Sequence, residues 1–500
     1  MNRKPGKPGL ILAIDQGTTG TRAILYDSRA RQTASAYQEF SQRYPKPGWV
    51  EHDPLEIWNS MLRVIAKTLF RARLDSSRIA AIGITNQRET TVLWDRKPSR
   101  PVYPAIVWQD RRTASFCDGL KSRGLEKIFR RKTGLVLDPY FSGTKIRWIL
   151  DHVPNIRRKA ERGEILFGTI DTWLLWKLTG GKSHATDFTN ASRTLLFNIR
   201  TKTWDSKLLR LLKVPSKILP ETRASSSFFG KTVRQGVLRE GIPIHAMIGD
   251  QQAALYGQAC YHPGEVKNTY GTGCFVVMNA GRKWRNPAFG LLATLACDKE
   301  GRPVYALEGS VFIAGAAIQW LRDGLGLFKK AAETDKMIKK LSDNGGVTLI
   351  PAFARLGSPY WNPNVRGVIY GITRGTTRAH HVRAALESMA RQKADVVEVL
   401  ESSSGKQLRF LKVDGGATQN KVLMQFQADL LGVPILVSEI SESTAWGAAK
   451  LAAKSAGVWT SLESGDARRR YRRFNPKMKP SQARPLRAVW KKEISRLLAS

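Results

Sequence analysis

The sequence predicts an α/β protein of two domains. Its 500 residues are too many for one ordinary hydrophobic core. Residues 10–27, LILAIDQGTTGTRAILYD, form an apolar run, a polar turn and a second apolar run, and residues 264–278, GEVKNTYGTGCFVVM, repeat this design. Short runs rich in branched residues favour buried strands over helices. One β-hairpin near the start of each half therefore indicates two domains built in a similar way.

The first polar turn has the chemistry of a phosphate cradle. Residues 15–20, DQGTTG, supply backbone N–H groups and hydroxyls that can donate to phosphate oxygens, and glycine lets the backbone approach closely. Asp15, at the end of the first strand, could hold a magnesium ion directly or through water. Considered alone, the segment also suits an ordinary hairpin turn.

Two later turns extend this pattern. Gly271-Thr272-Gly273 lies between the apolar runs of the second unit, and residues 413–420, VDGGATQN, place a Gly-Gly turn after a strand. Two hairpin turns followed by a Gly-Gly turn form the layout of the actin-like ATPase fold. In that fold one turn from each half grips the nucleotide phosphates, and the third turn contacts the adenosine. The sequence lacks the Walker pattern of the P-loop, and Gly17 opens a strand rather than a helix.

Strands and helices alternate between these turns. Asp53 and Pro54 are suited to begin a helix as its N-cap and first residue. Buried strands are expected over residues 79–84 and 243–247, and polar residues follow both at the edge where α/β sheets usually keep their chemistry. Further helices are predicted over residues 251–260, 315–321, 379–400, 422–431 and 486–498. From Arg468 to the last helix we expect a basic, irregular segment.

Motifs along most of the chain resemble those of the sugar and polyol kinase (FGGY) family, which is built on that fold. They are most similar to the motifs of family members that phosphorylate glycerol. The matching motifs, in order, are AIDQGTTGTRA, YPKPGWVEHDP, GITNQRETT, DPYFSGTK, DTWLLWKLTGG, TNASRT, GDQQAALYGQ, NTYGTGCF, ALEGSVFIAGAAIQWLRD, PYW and VDGGA. The resemblance implies two actin-like ATPase (ribonuclease H-like) domains with the active site in the cleft between them. It also implies the transfer of a phosphoryl group from ATP to glycerol, which gives sn-glycerol 3-phosphate as the first step of glycerol utilisation.

The resemblance assigns a glycerol site to a defined set of residues. Arg88 can donate to hydroxyl oxygens and Glu89 can accept from hydroxyl hydrogens, which a small polyol requires. Two exposed charges on a loop are the alternative for this pair. Asp250 is the expected catalytic base. The residues assigned to glycerol are Arg88, Glu89, Tyr140, Asp250, Gln251, Trp108 and Phe275, the tryptophan and the phenylalanine as apolar walls against the carbons.

The resemblance also assigns the nucleotide and the metal. ATP and Mg²⁺ are the expected cofactors, because phosphoryl transfer depends on positioning and charge stabilisation. Asp15 and Asp250 are expected to hold Mg²⁺ through water. The residues assigned to the nucleotide are Thr18, Thr19, Arg22, Thr272, Gly315, Gln319, Gly416 and Asn420.

Four segments are predicted along the chain. They are a disordered basic tail over residues 1–9, an N-terminal kinase domain over 10–257, a C-terminal kinase domain over 264–460, and a basic extension over 461–500 that packs on or trails from the second domain. The resemblance implies a homodimer or a homotetramer.

Composition limits the remaining functions. The net charge of +40 attracts polyanions without selecting among them, and its spread along the chain argues against a specific nucleic-acid partner. No export signal and no apolar run long enough to span a membrane is found, so we expect a cytoplasmic protein without membrane insertion. The four cysteines and seven histidines show no metal-ligand spacing.

Two rival functions and one regulatory question remain open. A related kinase for a pentulose or a longer polyol would share the nucleotide turns, and a non-enzymatic actin-like or nucleic-acid-binding protein is the rival from another class. Some bacterial relatives are inhibited by fructose 1,6-bisphosphate at a glycine-rich loop that ends in an arginine. The corresponding residues 230–241, GKTVRQGVLREG, lack the closely spaced glycines, so we expect no such inhibition.

Overall fold

The computed structural model describes residues 9–287, 290–353, 355–362, 364–440, 442–459 and 470–499. The predicted tail over residues 1–9, apart from Gly9, lies outside the described residues, as do residues 461–469 and Ser500 of the predicted extension and Thr460 of the predicted C-terminal domain. Contacts divide the chain into two compact units. The first comprises the described residues of Met1–Tyr261, Ala293–Tyr305 and Glu442–Arg468, and the second comprises those of His262–Leu292, Ala306–Ser441 and Arg469–Ser500.

The described residues form strands in both units. These strands are β1 (Leu10–Gln16), β2 (Gly20–Tyr26), β3 (Gln32–Glu39), β4 (Glu51–His52), β5 (Ile79–Asn86), β6 (Val92–Asp95), β7 (Ala105–Ile106), β8 (Ile165–Gly168), β9 (Ala185–Asp187), β10 (Phe197–Asn198), β11 (Thr203–Trp204), β12 (Glu221–Arg223), β13 (Ser226–Lys231), β14 (Pro243–Gly249), β15 (Val266–Tyr270), β16 (Cys274–Gly281), β17 (Leu292–Cys297), β18 (Pro303–Val311), β19 (Thr348–Ile350), β20 (Val368–Tyr370), β21 (Leu411–Gly415), β22 (Ile435–Ser438) and β23 (Tyr471–Phe474).

Helices occupy much of the remaining chain. These helices are α1 (Pro54–Ala72), α2 (Ala114–Ser122), α3 (Glu126–Thr133), α4 (Ser142–His152), α5 (Ile156–Arg162), α6 (Ile170–Leu178), α7 (Phe188–Ala191), α8 (Ser206–Leu212), α9 (Asp250–Gly257), α10 (Gly315–Asp323), α11 (Glu333–Ile338), α12 (Arg378–Ser404), α13 (Lys421–Leu431), α14 (Ser443–Ser455) and α15 (Pro480–Ala499). Short 3₁₀ helices cover Ser76–Arg78, Ser216–Ile218 and Gly416–Gln419. No described helix is both long enough and apolar enough to span a bilayer.

The first unit is built on a six-stranded sheet, counted over the described residues, in the order β13-β14-β5-β1-β2-β3. Strands β1, β5 and β14 run parallel, and β1, β2 and β3 form an antiparallel meander. The buried side chains of Leu12, Ile14, Ile82, Ile84 and Met247 belong to one core cluster with residues of α1 and α6. Burial of such aliphatic side chains stabilises the sheet by roughly 1.5–3 kcal/mol each.

Helix α14 packs closely on this sheet although it comes late in the chain. A Cβ atom placed on Gly83 of β5 would lie 2.4 Å from the carbonyl oxygen of Ala448, and one on Gly257 would lie 2.0 Å from the carbonyl oxygen of Ser443. Glycine is therefore required at both contacts. The first compact unit thus combines the N-terminal half of the chain with described residues of the late segment Glu442–Arg468, so it is not continuous in sequence.

The second unit repeats the central arrangement. Over the described residues, its sheet contains the strand order β18-β16-β15-β21-β22-β23. β15 and β16 form an antiparallel hairpin, and β15 runs parallel to β21, with Tyr270 opposite Gly415 at the strand ends. The hairpin turn and the Gly-Gly turn therefore emerge at the same edge of this sheet.

The chain near the C-terminus is more regular than the sequence predicts. The expectation of an irregular segment from Arg468 is wrong for Tyr471–Phe474, because this stretch forms β23 and pairs antiparallel with β22. The last helix begins at Pro480, earlier than the predicted residue 486. Trp490, Ile494 and Leu497 of this helix are buried in a cluster with Ile350 and Leu356. Tertiary packing, rather than local propensity, fixes this segment.

Candidate active site

Parallel strands of the first unit bring polar residues to one edge of its sheet. β5 ends at Asn86 and β14 ends at Gly249, and these two residues lie opposite each other in the sheet register. Arg88 and Glu89 follow the first of these strands, and Asp250 follows the second. Because the carboxyl ends of parallel strands meet at one edge, the structure brings these three predicted glycerol ligands together.

Arg88 is the centre of this cluster. Its Nε lies 3.1 Å from Asp250 Oδ1, its Nη1 donates to Gln252 Oε1 at 3.2 Å, and its Nη2 donates to Tyr140 Oη at 3.4 Å. The side chains of Arg88 and Glu89 are each only 2 % exposed. The alternative of two solvent-exposed loop charges is therefore wrong.

Glu89 is held in a demanding backbone conformation. Its φ is +61°, a region that costs a residue with a side chain about 1–2 kcal/mol. Ser142 Oγ donates to the Glu89 carbonyl oxygen at 2.9 Å, and Arg193 Nε donates to Glu89 Oε1 at 2.6 Å. Arg193 is itself fully buried. A buried ion pair with charge-assisted hydrogen bonding thus fixes the Glu89 carboxylate as an acceptor.

Asp250 combines a fixed position with access to solvent. It is the first residue of α9, and its Oδ1 accepts from Gln251 N at 2.7 Å, while its Oδ2 accepts from Gln251 Nε2 at 3.1 Å. Gly249 N donates to Thr189 Oγ1 at 2.8 Å, which anchors the start of the helix. About a third of the Asp250 side chain is exposed. A ligand in solution can therefore reach this carboxylate.

An aromatic wall lies beside these charges. The rings of Trp108 and Tyr140 meet edge to face with their centroids 5.6 Å apart. Trp108 Nε1 donates to Thr18 Oγ1 at 2.9 Å, which connects the wall to the first phosphate turn. Lys145 is fully buried, and its Nζ donates to the Tyr140 carbonyl oxygen at 2.6 Å. This lysine holds the loop that carries Tyr140.

The first turn is closed between β1 and β2. Gly17 N donates to the Gly20 carbonyl oxygen at 2.9 Å, and a Cβ on Gly20 would lie 2.5 Å from the Tyr37 hydroxyl. Thr18 is half-buried and Thr19 is exposed, so both predicted phosphate ligands are open to solvent. The tight turn leaves its hydroxyls at the edge of the sheet where β1 ends.

Asp15 lies among other carboxylates. Its backbone is opposite Arg22 in the β1–β2 register, and the Arg22 guanidinium pairs with Glu442 of the same unit. Burial raises the pKa of the Asp15 carboxyl to about 7, and the negative charges of Glu442 and Asp250 raise it further, while Arg22 lowers it. Arg22, which we expected at the phosphates, is thus engaged by Glu442 in the structure.

This electrostatic pattern suits a divalent cation. The negative charges of Glu442 and Asp250 raise the pKa of Asp15, and a positive ion bound near these three carboxylates would reduce their mutual repulsion. Carboxylate oxygens are also ligands that Mg²⁺ prefers. Among the described residues, no group of three His, Cys, Asp or Glu side chains is arranged to hold a metal. A magnesium ion at Asp15 and Asp250 would therefore take its remaining ligands from water and phosphate.

The second unit contains a cavity of about 470 Å³ at the turns of its sheet. All five residues that the sequence assigned to the nucleotide in this half line it, namely Thr272, Gly315, Gln319, Gly416 and Asn420. Apolar side chains, including Ile318, Phe328, Leu386 and Met389, line other parts of it. A concave site with apolar walls and a few convergent polar groups is typical of cofactor pockets.

Backbone contacts fix the mouth of this cavity. Ala314 N donates to the Thr272 carbonyl oxygen at 2.9 Å, and Gly315 N donates to that of Gly271 at 3.1 Å. A Cβ on Gly315 would lie only 2.6 Å from the Gly271 carbonyl oxygen, so α10 can begin at this turn only with glycine. Asn420 caps α13 by accepting from Leu423 N at 2.8 Å.

Phe275 is the one predicted glycerol residue that does not belong to the first unit. It lies on β16 of the second unit and is half-buried. Its contact with glycerol stays a prediction.

Three residues of the site were not predicted. Arg193 pairs with Glu89, Gln252 accepts from Arg88, and Glu442 pairs with Arg22. Arg193 lies in the TNASRT motif and Gln252 in the GDQQ motif, so motif membership could have indicated both. Glu442 belongs to none of the quoted motifs, and no spacing in the sequence indicates that it joins the first unit.

Comparisons with known proteins agree on one family. The model of the N-terminal domain of the FGGY family of carbohydrate kinases matches residues 10–257, and the model of the C-terminal domain matches residues 266–456. A glycerol kinase from Carboxydothermus hydrogenoformans is 55 % identical over 487 residues, which are 97 % of each chain. Glycerol kinase 2 from Thermotoga maritima is 53 % identical over 98 % of each chain. The crystal structure of Plasmodium falciparum glycerol kinase with ADP is 37 % identical, covers 99 % of each chain and superposes with a TM-score of 0.91.

Proposed function

Because the chain belongs to the FGGY family of carbohydrate kinases, we propose that it transfers the γ-phosphoryl group of ATP to glycerol and releases sn-glycerol 3-phosphate. The observation that carries this proposal is the cluster of buried Arg88, Glu89 and Tyr140 with the partly exposed Asp250, beside the Trp108 ring. It offers a donor, an acceptor and an apolar surface on the scale of a three-carbon triol.

Arg88 and Glu89 would recognise the hydroxyl groups. Arg88 donates to hydroxyl oxygens, and the Glu89 carboxylate accepts from hydroxyl hydrogens. Because Arg193 holds Glu89 Oε1 at 2.6 Å, the acceptor is in place before the substrate arrives. Tyr140 supplies a further hydroxyl contact, and Trp108 packs against the carbon chain.

Asp250 would act as the catalytic base. Its partly exposed carboxylate accepts the proton of the attacking primary hydroxyl while the oxygen forms its bond to the γ-phosphorus. The bond from the γ-phosphorus to the bridging oxygen breaks, and ADP leaves. Gln251 N and Nε2 hold the two carboxylate oxygens during this step.

The turns of the two units would bind ATP. In this proposal Thr18 and Thr19 donate to phosphate oxygens, Thr272 contributes from the second turn, and the cavity at Gly416 and Asn420 takes the adenosine. When bound, Mg²⁺ at Asp15 and Asp250 neutralises charge on the transferred group.

The predicted homodimer or homotetramer would be tested by light scattering.

A related kinase with a pentulose or longer polyol substrate is the nearest rival. A coupled assay for ADP release over glycerol, longer polyols and ketoses separates the two proposals. We expect glycerol to give the largest kcat/KM, since an unpaired polar group in the site costs more than a lost apolar contact. A higher kcat/KM for a ketose would contradict glycerol as the substrate, and no ADP release with any acceptor would contradict a kinase.

A further inference from the structure

Lys393 differs from the other buried lysines of the described chain. Lys145 Nζ donates to carbonyl oxygens, Lys267 Nζ donates to Thr269 Oγ1 at 3.0 Å, Lys412 Nζ lies 4.0 Å from Glu265 Oε1, and Lys450 Nζ donates to Tyr261 Oη. Lys393 is 0 % exposed, and its Nζ contacts the Tyr270 ring and the Cys274 thiol but, within the described residues, no carboxylate. Burying an ammonium without a carboxylate partner is costly, so its retention requires a physical reason.

The position of Lys393 supplies that reason. It lies on α12 one helical turn after Met389, which lines the cavity of the second unit. Its Nζ is 3.5 Å from the centre of the Tyr270 ring and interacts with the Cys274 thiol. Tyr270 and Cys274 are the residues immediately before and after the turn Gly271-Thr272-Gly273. The ammonium therefore lies directly behind the second phosphate turn.

We propose that Lys393 is a buried cation that strengthens the binding of nucleotide phosphates at the turn Gly271-Thr272-Gly273. The phosphates do not contact the lysine in this proposal. Their negative charge interacts with the ammonium through the low-dielectric hairpin, where attraction over several ångströms is much stronger than in water. Lys393 is thus a positioning residue for the nucleotide, and the proposal rests on the proposed nucleotide site.

The protonation of Lys393 makes this effect dependent on pH. Burial lowers the pKa of its ammonium to about 8. The titratable groups that face it are Tyr270 of β15 and Cys274 of β16, and burial raises the pKa of both, which favours their neutral forms. Lys267 of β15 also acts on Cys274 and adds a second positive charge nearby. Gln427 of α13, which accepts from Tyr270 Oη, carries no charge. Nucleotide affinity should therefore be full below pH 8 and should fall above it, because binding must then reprotonate the lysine.

Calorimetric titration of the full chain with ADP and with adenosine tests the proposal. Lys393→Met keeps the length and apolar character of the stem and removes the charge. We expect it to weaken ADP binding about tenfold near pH 7 and to leave adenosine binding within about twofold, since adenosine has no phosphate. Equal weakening of both ligands would mean that the lysine supports only the structure, and unchanged ADP binding would mean that its charge has no role. Either result overturns the proposal.

Lys450→Met is the matched control, because Lys450 is equally buried but belongs to the first unit, whereas the cavity is lined by residues of the second. ADP binding to this control should change by less than about twofold. The unmodified chain gives a second test that does not depend on the folding of a variant. Its ADP affinity should fall between about pH 7 and about pH 9, and a flat profile would overturn the proposal. A wild-type chain that binds neither ligand would instead contradict the proposed function.

Discussion

At the residue scale, Glu89 is held between two buried cations. Arg193 Nε lies 2.6 Å and Arg88 Nε 3.8 Å from Glu89 Oε1, so removing one of these charges disturbs a buried ion-pair network. The Arg88 guanidinium connects Glu89 to the rest of the site, because it also contacts Tyr140, Gln252 and Asp250. Substrate recognition in this account is thus a property of a few fixed side chains.

Glu89→Gln and Arg88→Ala should weaken the use of glycerol more than the use of ATP. We expect kcat/KM for glycerol to fall at least about tenfold, because hydrogen bonds to charged groups contribute about 1.5–3 kcal/mol. The KM for ATP should change by less than about twofold. Glu387→Gln is a suitable control, since Glu387 forms a buried ion pair with Arg391 in the second unit. A variant that mainly raised the ATP requirement would contradict the glycerol assignment.

The Asp15 carboxylate should lower the stability of the folded protein at neutral pH when no metal is bound. Its folded-state pKa of about 7 lies above the value of an unfolded aspartate, so folding is penalised increasingly as pH rises from about 4 through 7. Asp15→Asn should therefore raise the melting temperature near pH 8, measured without metal or nucleotide, and raise it less near pH 5. Activity should fall in the same variant. Asp75→Asn, at a carboxylate whose pKa is lowered, should give no such gain. An unchanged or lower melting temperature for Asp15→Asn near pH 8 would contradict this account.

At the element scale, the sequence predicts the strand–turn units, but it does not predict that helix α14 packs on β5 or that β23 pairs with β22. The turns at Gly17–Gly20 and Gly271–Gly273 show local glycine and hydroxyl chemistry, and both are closed by a backbone hydrogen bond. Helix α14 packs on β5 through Gly83, a contact between distant parts of the chain for which periodicity gives no indication. Strand β23 was missed because its basic residues suggested a solvated segment, although its pairing with β22 decides its conformation.

The loop between β13 and β14 bears on regulation by fructose 1,6-bisphosphate. A phosphate cradle needs free backbone N–H groups, but in this loop those of Thr232, Val233, Gln235, Leu238 and Gly241 all donate to backbone carbonyls. Arg239 N donates to Ser76 Oγ at 3.0 Å. The remaining basic side chains can attract an anion only loosely and with strong salt dependence.

We therefore predict that fructose 1,6-bisphosphate does not inhibit the enzyme specifically. The measurement is glycerol phosphorylation at moderate salt while the bisphosphate is titrated. Inhibition that saturates, survives added salt and disappears in Arg239→Ala would show that this loop binds the effector, and the prediction would be wrong.

At the scale of the whole molecule, the charge of +40 is the property that the fold explains least. Some basic side chains have structural roles, since Arg472 donates to the Thr418 carbonyl oxygen at 2.7 Å and Arg157 pairs with Asp151, but these contacts leave the net charge unchanged. The net positive charge therefore still attracts polyanions to the protein surface. We expect RNA or DNA to be retained at low salt and released as salt rises, without dependence on base sequence and without loss of turnover at physiological ionic strength. A salt-resistant complex with one nucleic acid would favour the binding-protein alternative.

The central claim is that Asp250 accepts the proton of the glycerol hydroxyl. The most direct test is the turnover of Asp250→Asn, measured together with its melting temperature and its affinity for ADP. The amide keeps an oxygen for Gln251 N but cannot act as the base, so we predict a fall in kcat of at least about a hundredfold, while the variant still melts cooperatively and still binds ADP when Mg²⁺ is absent. Near-normal turnover with an unchanged melting temperature would contradict the account.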